Sequence, residues 1–546
     1  MESTMMDYPL TVPHILERAG RYFPKVEIVS RLPDKSMHRT TYREFYRRSR
    51  ALAETLRKAG LNQGDRVATL MWNHYVHLEA YFGIPAAGGV LHTLNQRLHP
   101  NDLEYIVNNA EDRFLIIDDV LLPVLEGFRS RVNFERIFVV NHSGAPLAAG
   151  LESYADLIAG ATGEFAYPKI DEREAAGMCY TSGTTGRPRG VVYSHRSTVL
   201  HSYNCVLSST MHVSASDVIL PVVPMFHANA WGIPYAAAMM GAALVFPGPY
   251  LDGESVLDLF EREQVTFSGG VPTVWLAVLQ LLEREPSRRR LAPGLRLAVG
   301  GSAAPESLIR AFDKFGITVL HAWGMTETSP AATIASLKPQ LERLPEDERY
   351  AYRAKQGYAM PFVDLRVIGD DGKEVTPDGK SMGEIQVRGP YITAGYFKME
   401  PTAEKFTADG WLRTGDVATL DEEGYIKITD RTKDLIKSGG EWISSVDLEN
   451  AIMGHPAVAE AAVIAIPDPK WDERPLAVIV LKPGAQATPQ DIEAHLAGKF
   501  AKWWLPDQYV FTDSIPRTST GKFLKTALRD QYGKRGPGVA AATKVA

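Results

Sequence analysis

Hydroxyl and glycine residues alternate along Tyr180-Thr181-Ser182-Gly183-Thr184-Thr185-Gly186-Arg187-Pro188-Arg189-Gly190, and basic residues stand at the far end. Such a loop can turn backbone N–H groups and Ser or Thr hydroxyls toward one anion, because glycine reaches left-handed and close-approach conformations that other residues resist. That is the chemistry of a phosphate cradle. A surface loop of the same composition is the plainer reading, and this stretch alone does not separate the two. A P-loop fits worse, since that motif needs Lys-Ser/Thr after its last glycine and opens directly into a helix, whereas Gly186 is followed by Arg187-Pro188.

The elements that would position this loop follow an α/β pattern. Thr41-Tyr42-Arg43-Glu44 has the form of a capping box, and the segment to Ala59 carries Phe45, Leu52 and Leu56 before Gly60 stops it, which predicts an amphipathic helix. Apolar runs at Val67–Met71, Phe114–Ile117 and Val218–Val223 read as buried strands with helical stretches between them. Alternation over this length predicts largely parallel sheets, with sites at the carboxyl ends of strands. Glycine-bearing turns do follow apolar runs at Leu297–Ala304 and again after Ile317–Leu320.

Between Phe362 and Ile428 short alternating runs are separated by Gly, Asp and Pro turns, predicting a β-rich subdomain. A charged connector, Arg431-Thr432-Lys433-Asp434, then leads into a compact tail. There Ser444 with Asp447 can cap a helix ending near Gly454, and Val458–Ile466 and Leu476–Leu481 read as strands. Thr488 with Asp491 can cap a helix to Phe500. The expectation is a large domain over residues 1–431 and a small α+β domain over residues 432–546, with the end of the chain, from about Gly536, mobile.

At 546 residues the chain exceeds what a single core fills, so at least two domains are expected. A net charge of -6 gives no bulk reason to expect nucleic acid as a partner. Only Cys179 and Cys205 occur, which implies no disulfide framework and suggests a reducing, cytoplasmic setting. Met1–Leu10 lacks the apolar core of a secretory signal. The most apolar long window, Trp231–Phe246, is interrupted by Pro234 and falls short of a bilayer span, so no integral membrane segment is expected.

Six stretches taken in order resemble the adenylate-forming superfamily of acyl-CoA synthetases, peptide-synthetase adenylation domains and luciferases. They are Tyr180–Gly190, Gly300-Gly301-Ser302-Ala303-Ala304, Trp323-Gly324-Met325-Thr326-Glu327, Trp411–Asp416, Asp430-Arg431 and Pro516–Lys522. Within it, Pro224-Met225-Phe226-His227-Ala228-Asn229-Ala230-Trp231 and Lys437-Ser438-Gly439-Gly440-Glu441-Trp442 look most like bacterial fatty acyl-CoA synthetases. The resemblance implies a carboxylic acid, ATP and coenzyme A as substrates, with Mg2+. The acid attacks the α-phosphate to give an acyl-adenylate and pyrophosphate, and the thiol then displaces AMP.

Residue by residue, the resemblance assigns the Thr181–Gly186 loop to the β- and γ-phosphates, with Thr184 and Glu327 as oxygen ligands of Mg2+. It puts Gly300 to Ala303 and His321, Ala322, Trp323, Gly324, Met325 and Thr326 along the adenine and acyl-phosphate, Trp323 standing where many relatives carry Tyr. Asp416 would accept from the ribose hydroxyls and Arg431 would assist at ribose or phosphate. Lys522 would bridge carboxylate and α-phosphate, and Lys433 would be the hinge about which a mobile small domain turns. Lys437, Gly439, Gly440 and Trp442 would approach nucleotide and thiol in the second step. His227, Ala228, Trp231 and Val271–Trp275 are candidate walls of the acyl pocket, Trp231 as a gate.

Relatives usually carry lysine where Arg189 stands, a departure that leaves Arg189 outside the assigned set. Pairing as a homodimer through the first domain is a family expectation. A medium- or long-chain fatty acid fits pocket segments without basic side chains. Methylmercaptopropionate or an aryl acid is the rival substrate; a luciferase-like oxidising enzyme, a carrier-loading domain and a catalytically silent nucleotide-binding module are the rival classes.

Overall fold

The computed structural model describes residues 1–533 except Glu2, residues 182–186, Ser287, Gly440 and residues 519–521. The expectation for the end of the chain therefore falls outside the described residues, as do those for Ser182, Gly183, Thr184, Thr185, Gly186 and Gly440.

Two sheets carry the chain as far as the strand Tyr358–Ala359. In the seven-stranded one, Glu152–Ser153, Arg136–Val140, Asp112–Asp118, Arg66–Leu70, Val90–Thr93 and Ala175–Tyr180 run parallel, and Gly190–Ser194 closes the edge antiparallel. In the nine-stranded one, Thr318–Gly324, Arg296–Val299, Phe267–Gly270, Val218–Pro221, Ala243–Phe246 and Glu27–Arg31 are parallel, with antiparallel strands at both edges. Strands buried on both faces read as continuous apolar runs, and Phe114, Leu115, Ile116 and Ile117 are each fully buried. The predicted α/β class with parallel sheets is what the chain forms.

The helix Tyr42–Lys58 packs on the buried helix Tyr75–Ala86 through Phe45, Leu52 and Leu56. At Gly83 an added Cβ would lie 2.8 Å from Leu52 Cδ2, so glycine lets the two helices approach. The expected capping box does not form: Thr41 accepts no side-chain cap bond, and Glu44 instead takes the Arg47 guanidinium at 2.6 Å.

The stretch predicted to be β-rich forms a four-stranded antiparallel sheet, Asp364–Ile368, Met382–Arg388, Leu412–Leu420 and Ile426–Arg431. Beyond it, Ile436–Ser438, Glu441–Ile443, Val458–Asp468, Asp472–Leu481 and Gln508–Phe511 make a five-stranded sheet with its own apolar cluster around Ile452, Val463 and Ile492. Ser444 caps the helix Ser445–Met453 by accepting from Asp447 N–H, as expected. Thr488 and Asp491 form a full capping box, but their helix ends at Leu496 rather than Phe500. Gly498 then adopts φ +80°, which turns the chain so that Phe500 stacks on Trp504.

Among the described residues no helix is long and apolar enough to cross a membrane. Cys179 and Cys205 are both buried free thiols. His74, Asp118 and His142 are close enough to share a cation, yet hydrogen bonds account for their geometry. His74 Nδ1 accepts from Val76 N–H, which leaves its Nε2–H to donate to Asp118 Oδ1 at 2.8 Å. His142 Nε2 lies 3.3 Å from the same oxygen, and Trp72 N–H donates to the other. The cluster pins the start of the helix Tyr75–Ala86.

Candidate active site

Parallel strands deliver the key loops to one place. Thr181 follows Ala175–Tyr180, the Pro224–Trp231 segment follows Val218–Pro221, Gly300 follows Arg296–Val299, and Met325 follows Thr318–Gly324. All are carboxyl ends, where α/β sheets leave their crevices. There a cavity of about 560 Å3 opens, lined by Thr181, His227, Trp231, Gly300, Gly301 and the run Ala322–Glu327. Arg187, Arg189, Lys405, Arg431, Lys433 and Lys522 also line it, giving it the excess of cations that anionic substrates require. A second cavity of about 260 Å3 adjoins it at Gly301, Trp323 and Lys522 and reaches Ser302, Ala303, His321 and Asp416.

Glycines at the turn create this space. At Gly300 an added Cβ would lie 3.3 Å from Trp231 Cη2, so the absent side chain leaves room for the indole. Gly301 has φ +84°, and a Cβ there would sit 3.6 Å from Lys522 Cε. His321 fixes the end of this loop: its Nε2 accepts from Ala304 N–H at 3.2 Å while Nδ1 meets Ala354 O at 3.0 Å. Burial pushes its pKa down to about 4, so the ring is neutral and can hold both roles.

Lys522 reaches the cavity from the small domain. Thr518 N–H donates to Lys522 O at 2.7 Å and Lys522 N–H donates to Thr518 Oγ1 at 3.1 Å, a reciprocal pair that anchors the lysine backbone. Burial, then the nearby Arg431 charge, lowers its pKa to about 8, while Asp416 and Glu327 oppose that shift. The lysine thus lies within electrostatic reach of Asp416 and Arg431 on the four-stranded sheet and of Glu327, which follows the strand Thr318–Gly324. The small domain docks through Ser445 N–H to Asp430 Oδ2 at 2.8 Å and through the Lys427–Asp447 pair at 2.7 Å.

Asp416 and Arg431 are cross-strand partners and form an ion pair at 3.3 Å. The other Asp416 oxygen accepts from Trp323 Nε1–H at 2.8 Å. Each carboxylate oxygen keeps a lone pair for a further donor. The Trp323 ring lines both cavities and also packs into the core of the four-stranded sheet. Glu327 is 6% exposed, and Tyr396 OH donates to its Oε1 at 2.7 Å. Its carboxylate is the hard oxygen donor that a magnesium ion prefers, so the described residues fit that ion. Lys433 lines both cavities, and burial and then Arg431 lower its pKa.

Some expected residues lie elsewhere. Ala228 is 2% exposed and does not line the cavity, although its neighbour His227 does. Burial, then Lys522, holds His227 down at about 4 and hence neutral. Trp275 is core, not pocket wall: it is fully buried, donates Nε1–H to Gly270 O at 3.1 Å and packs with Phe260. Pro272 and Thr273 from the same segment do line the second cavity. Lys437 and Trp442 lie on the paired strands Ile436–Ser438 and Glu441–Ile443, Gly439 follows the first of them, and none of the three lines either cavity; the Lys437 ammonium is 5.7 Å from the Trp442 ring centroid.

Arg187, Arg189, Tyr396 and Lys405 line the cavity without having been assigned there. The two arginines carry a signal in their charge beside the loop; Tyr396 carries none. Another hidden feature is the run Ala228, Asn229, Ala230 and Trp231, all left-handed with φ from 42° to 58°. Non-glycine residues there cost roughly 1–3 kcal/mol each, strain typical of binding sites. Cys179 Sγ–H donates to Asn229 Oδ1 at 3.3 Å and helps to hold it.

A cationic crevice at the carboxyl ends of two parallel sheets, closed by a small domain that inserts a lysine, defines an adenylate-forming enzyme. The comparisons agree. The model for the AMP-binding enzyme matches residues 16–397, and that for the AMP-binding enzyme C-terminal domain matches residues 447–522. The chain belongs to the AMP-binding enzyme family. It is similar to a long-chain-fatty-acid–CoA ligase of Thermus thermophilus, at 54% identity over 97% of each chain. A 3-methylmercaptopropionyl-CoA ligase of Ruegeria pomeroyi is 44% identical over 97% of this chain and 99% of that one. The crystal structure of the anthranilate CoA ligase AuaEII in complex with anthranoyl-AMP superposes with a TM-score of 0.85 at 25% identity, covering 96% of this chain and 98% of that one.

Proposed function

We propose that the protein is an ATP-dependent acid–thiol ligase that joins a medium- or long-chain fatty acid to coenzyme A through an acyl-adenylate, releasing pyrophosphate and AMP. The observation that carries it is the seat of Lys522 over Gly301, within reach of Asp416, Arg431 and Glu327. In this reading the ammonium draws the substrate carboxylate and α-phosphate together. Asp416, oriented by Trp323, accepts from the ribose hydroxyls, and Arg431 offsets phosphate charge. Glu327, with Thr184, would hold Mg2+, which supplies charge neutralisation to the triphosphate when bound. Lys433 serves as the hinge between residues 1–431 and 432–546, and Lys437, Gly439 and Trp442, which line neither cavity here, serve the thiol step together with Gly440 after the small domain turns.

For the acyl group, the cavity lining includes Trp231, Met211, Pro330 and Ala331, which offer carbon to an alkyl chain. Each buried methylene contributes about 0.8 kcal/mol, enough to set a chain-length preference. The similarity to the Ruegeria pomeroyi enzyme supports methylmercaptopropionate as the second reading. A cytoplasmic homodimer belongs to the same proposal and rests on the family pattern and the two free thiols. Acid-dependent consumption of the CoA thiol across C2 to C18 acids and methylmercaptopropionate tests it. The highest kcat/KM is expected for a medium- or long-chain acid; a maximum at methylmercaptopropionate would transfer the assignment to the second reading.

A further inference from the structure

Arg189 departs from the family's lysine, and in the structure its guanidinium lies over the ring of Tyr396, 5.2 Å from the centroid. Tyr396 in turn donates its O–H to Glu327 Oε1 at 2.7 Å. All three residues line the main cavity. Their backbones are also tied together. Arg189 N–H donates to Thr181 Oγ1 at 3.2 Å, Phe397 N–H to Gly190 O at 2.9 Å, and Thr393 N–H to Glu327 O at 2.8 Å. Burial, then the Glu327 charge, pushes the Tyr396 phenol upward, so it remains an O–H donor at neutral pH.

We propose that Arg189 and Tyr396 are positioning residues that fix the Glu327 carboxylate for a magnesium–nucleotide complex. The proposal rests on the reading of Glu327 given above. A carboxylate held at one oxygen by a phenol cannot swing out of the cavity, and outer hydrogen-bond partners of this kind orient metal ligands. Arginine suits the role because its planar guanidinium can cover an aromatic face while keeping its charge beside the loop. A lysine would supply the charge as a point without the flat contact.

Isothermal titration of the full-length protein with ATP, once with excess Mg2+ and once in EDTA, tests this alongside the Mg2+ concentration for half-maximal pyrophosphate exchange. Tyr396→Phe is expected to weaken Mg–ATP binding about tenfold and to raise the Mg2+ requirement similarly, while metal-free ATP binds within about twofold of wild type. Arg189→Lys should shift both in the same direction by a smaller factor. Equal losses with and without metal, or none, would reduce Tyr396 to packing and overturn the proposal. Glu327→Gln separates the two readings: at the Mg2+ concentration that saturates wild type it should lose the preference for Mg–ATP over ATP, a preference that only much higher Mg2+ restores in part. If Glu327→Gln loses that preference and Tyr396→Phe keeps it, the pair alone is wrong; if Glu327→Gln keeps it, both readings fall.

Discussion

Lys522→Ala is expected to form acyl-adenylate about a thousandfold more slowly than wild type. The magnitude follows from charge: an ammonium about 4 Å from a partner, in a site of effective dielectric near 20, contributes roughly 4 kcal/mol, or about three powers of ten. Water entering the truncated site will screen part of this, so the thousandfold figure is a ceiling. Because the lysine enters from the small domain across Gly301, its loss should leave the sheets and the Asp416–Arg431 pair intact. The pH dependence carries the same signature. The ammonium has a pKa near 8 in the free protein, so it is charged below that value and loses its charge above it. The value of kcat/KM for pyrophosphate release should therefore fall as pH rises past about 8, and Lys522→Arg, charged throughout, should flatten the fall. Pyrophosphate release unchanged in Lys522→Ala would remove the lysine from the first step.

Glu327→Gln is expected to lower acid-dependent pyrophosphate exchange by about a hundredfold or more, equivalent to roughly 3 kcal/mol. The substitution keeps the shape and lets Tyr396 still donate to an oxygen, but it removes the negative charge that would hold the cation. Wild-type exchange rates in Glu327→Gln at low Mg2+ would count against that role. The two substitutions should also be distinguishable by condition: raising Mg2+ should recover part of the Glu327→Gln loss and none of the Lys522→Ala loss.

Much of the fold was legible because its signals are local. Buried parallel strands show as unbroken apolar runs, and the glycines at 300 and 301 follow one directly, so the crevice at the strand ends could be anticipated from adjacent residues. The four-stranded antiparallel sheet likewise announced itself through short alternating runs between turns. What sequence concealed are contacts across long separations. Trp323 and Asp416 are 93 residues apart and Glu327 and Tyr396 are 69 apart, so neither hydrogen bond has a spacing to read. Trp275 was misjudged because an aromatic a few residues beyond an apolar strand looks the same whether it faces a ligand or, as here, lies in the helix Pro272–Arg284 and fills the core. The left-handed run from Ala228 to Trp231 contains no glycine to mark it, and only Asn229 is a residue that visits that region readily. Helix ends also shifted where an unforeseen turn intervened, as Gly498 does before Phe500.

Exchange of labelled pyrophosphate into ATP, measured with Mg2+ and a broad panel of carboxylic acids and without coenzyme A, isolates the step on which everything above depends. Exchange that starts only when an acid is added, is strongest for fatty acids and is nearly lost in Lys522→Ala is the expected result. Purified, folded protein that binds ATP yet exchanges no label with any acid would contradict the adenylate route.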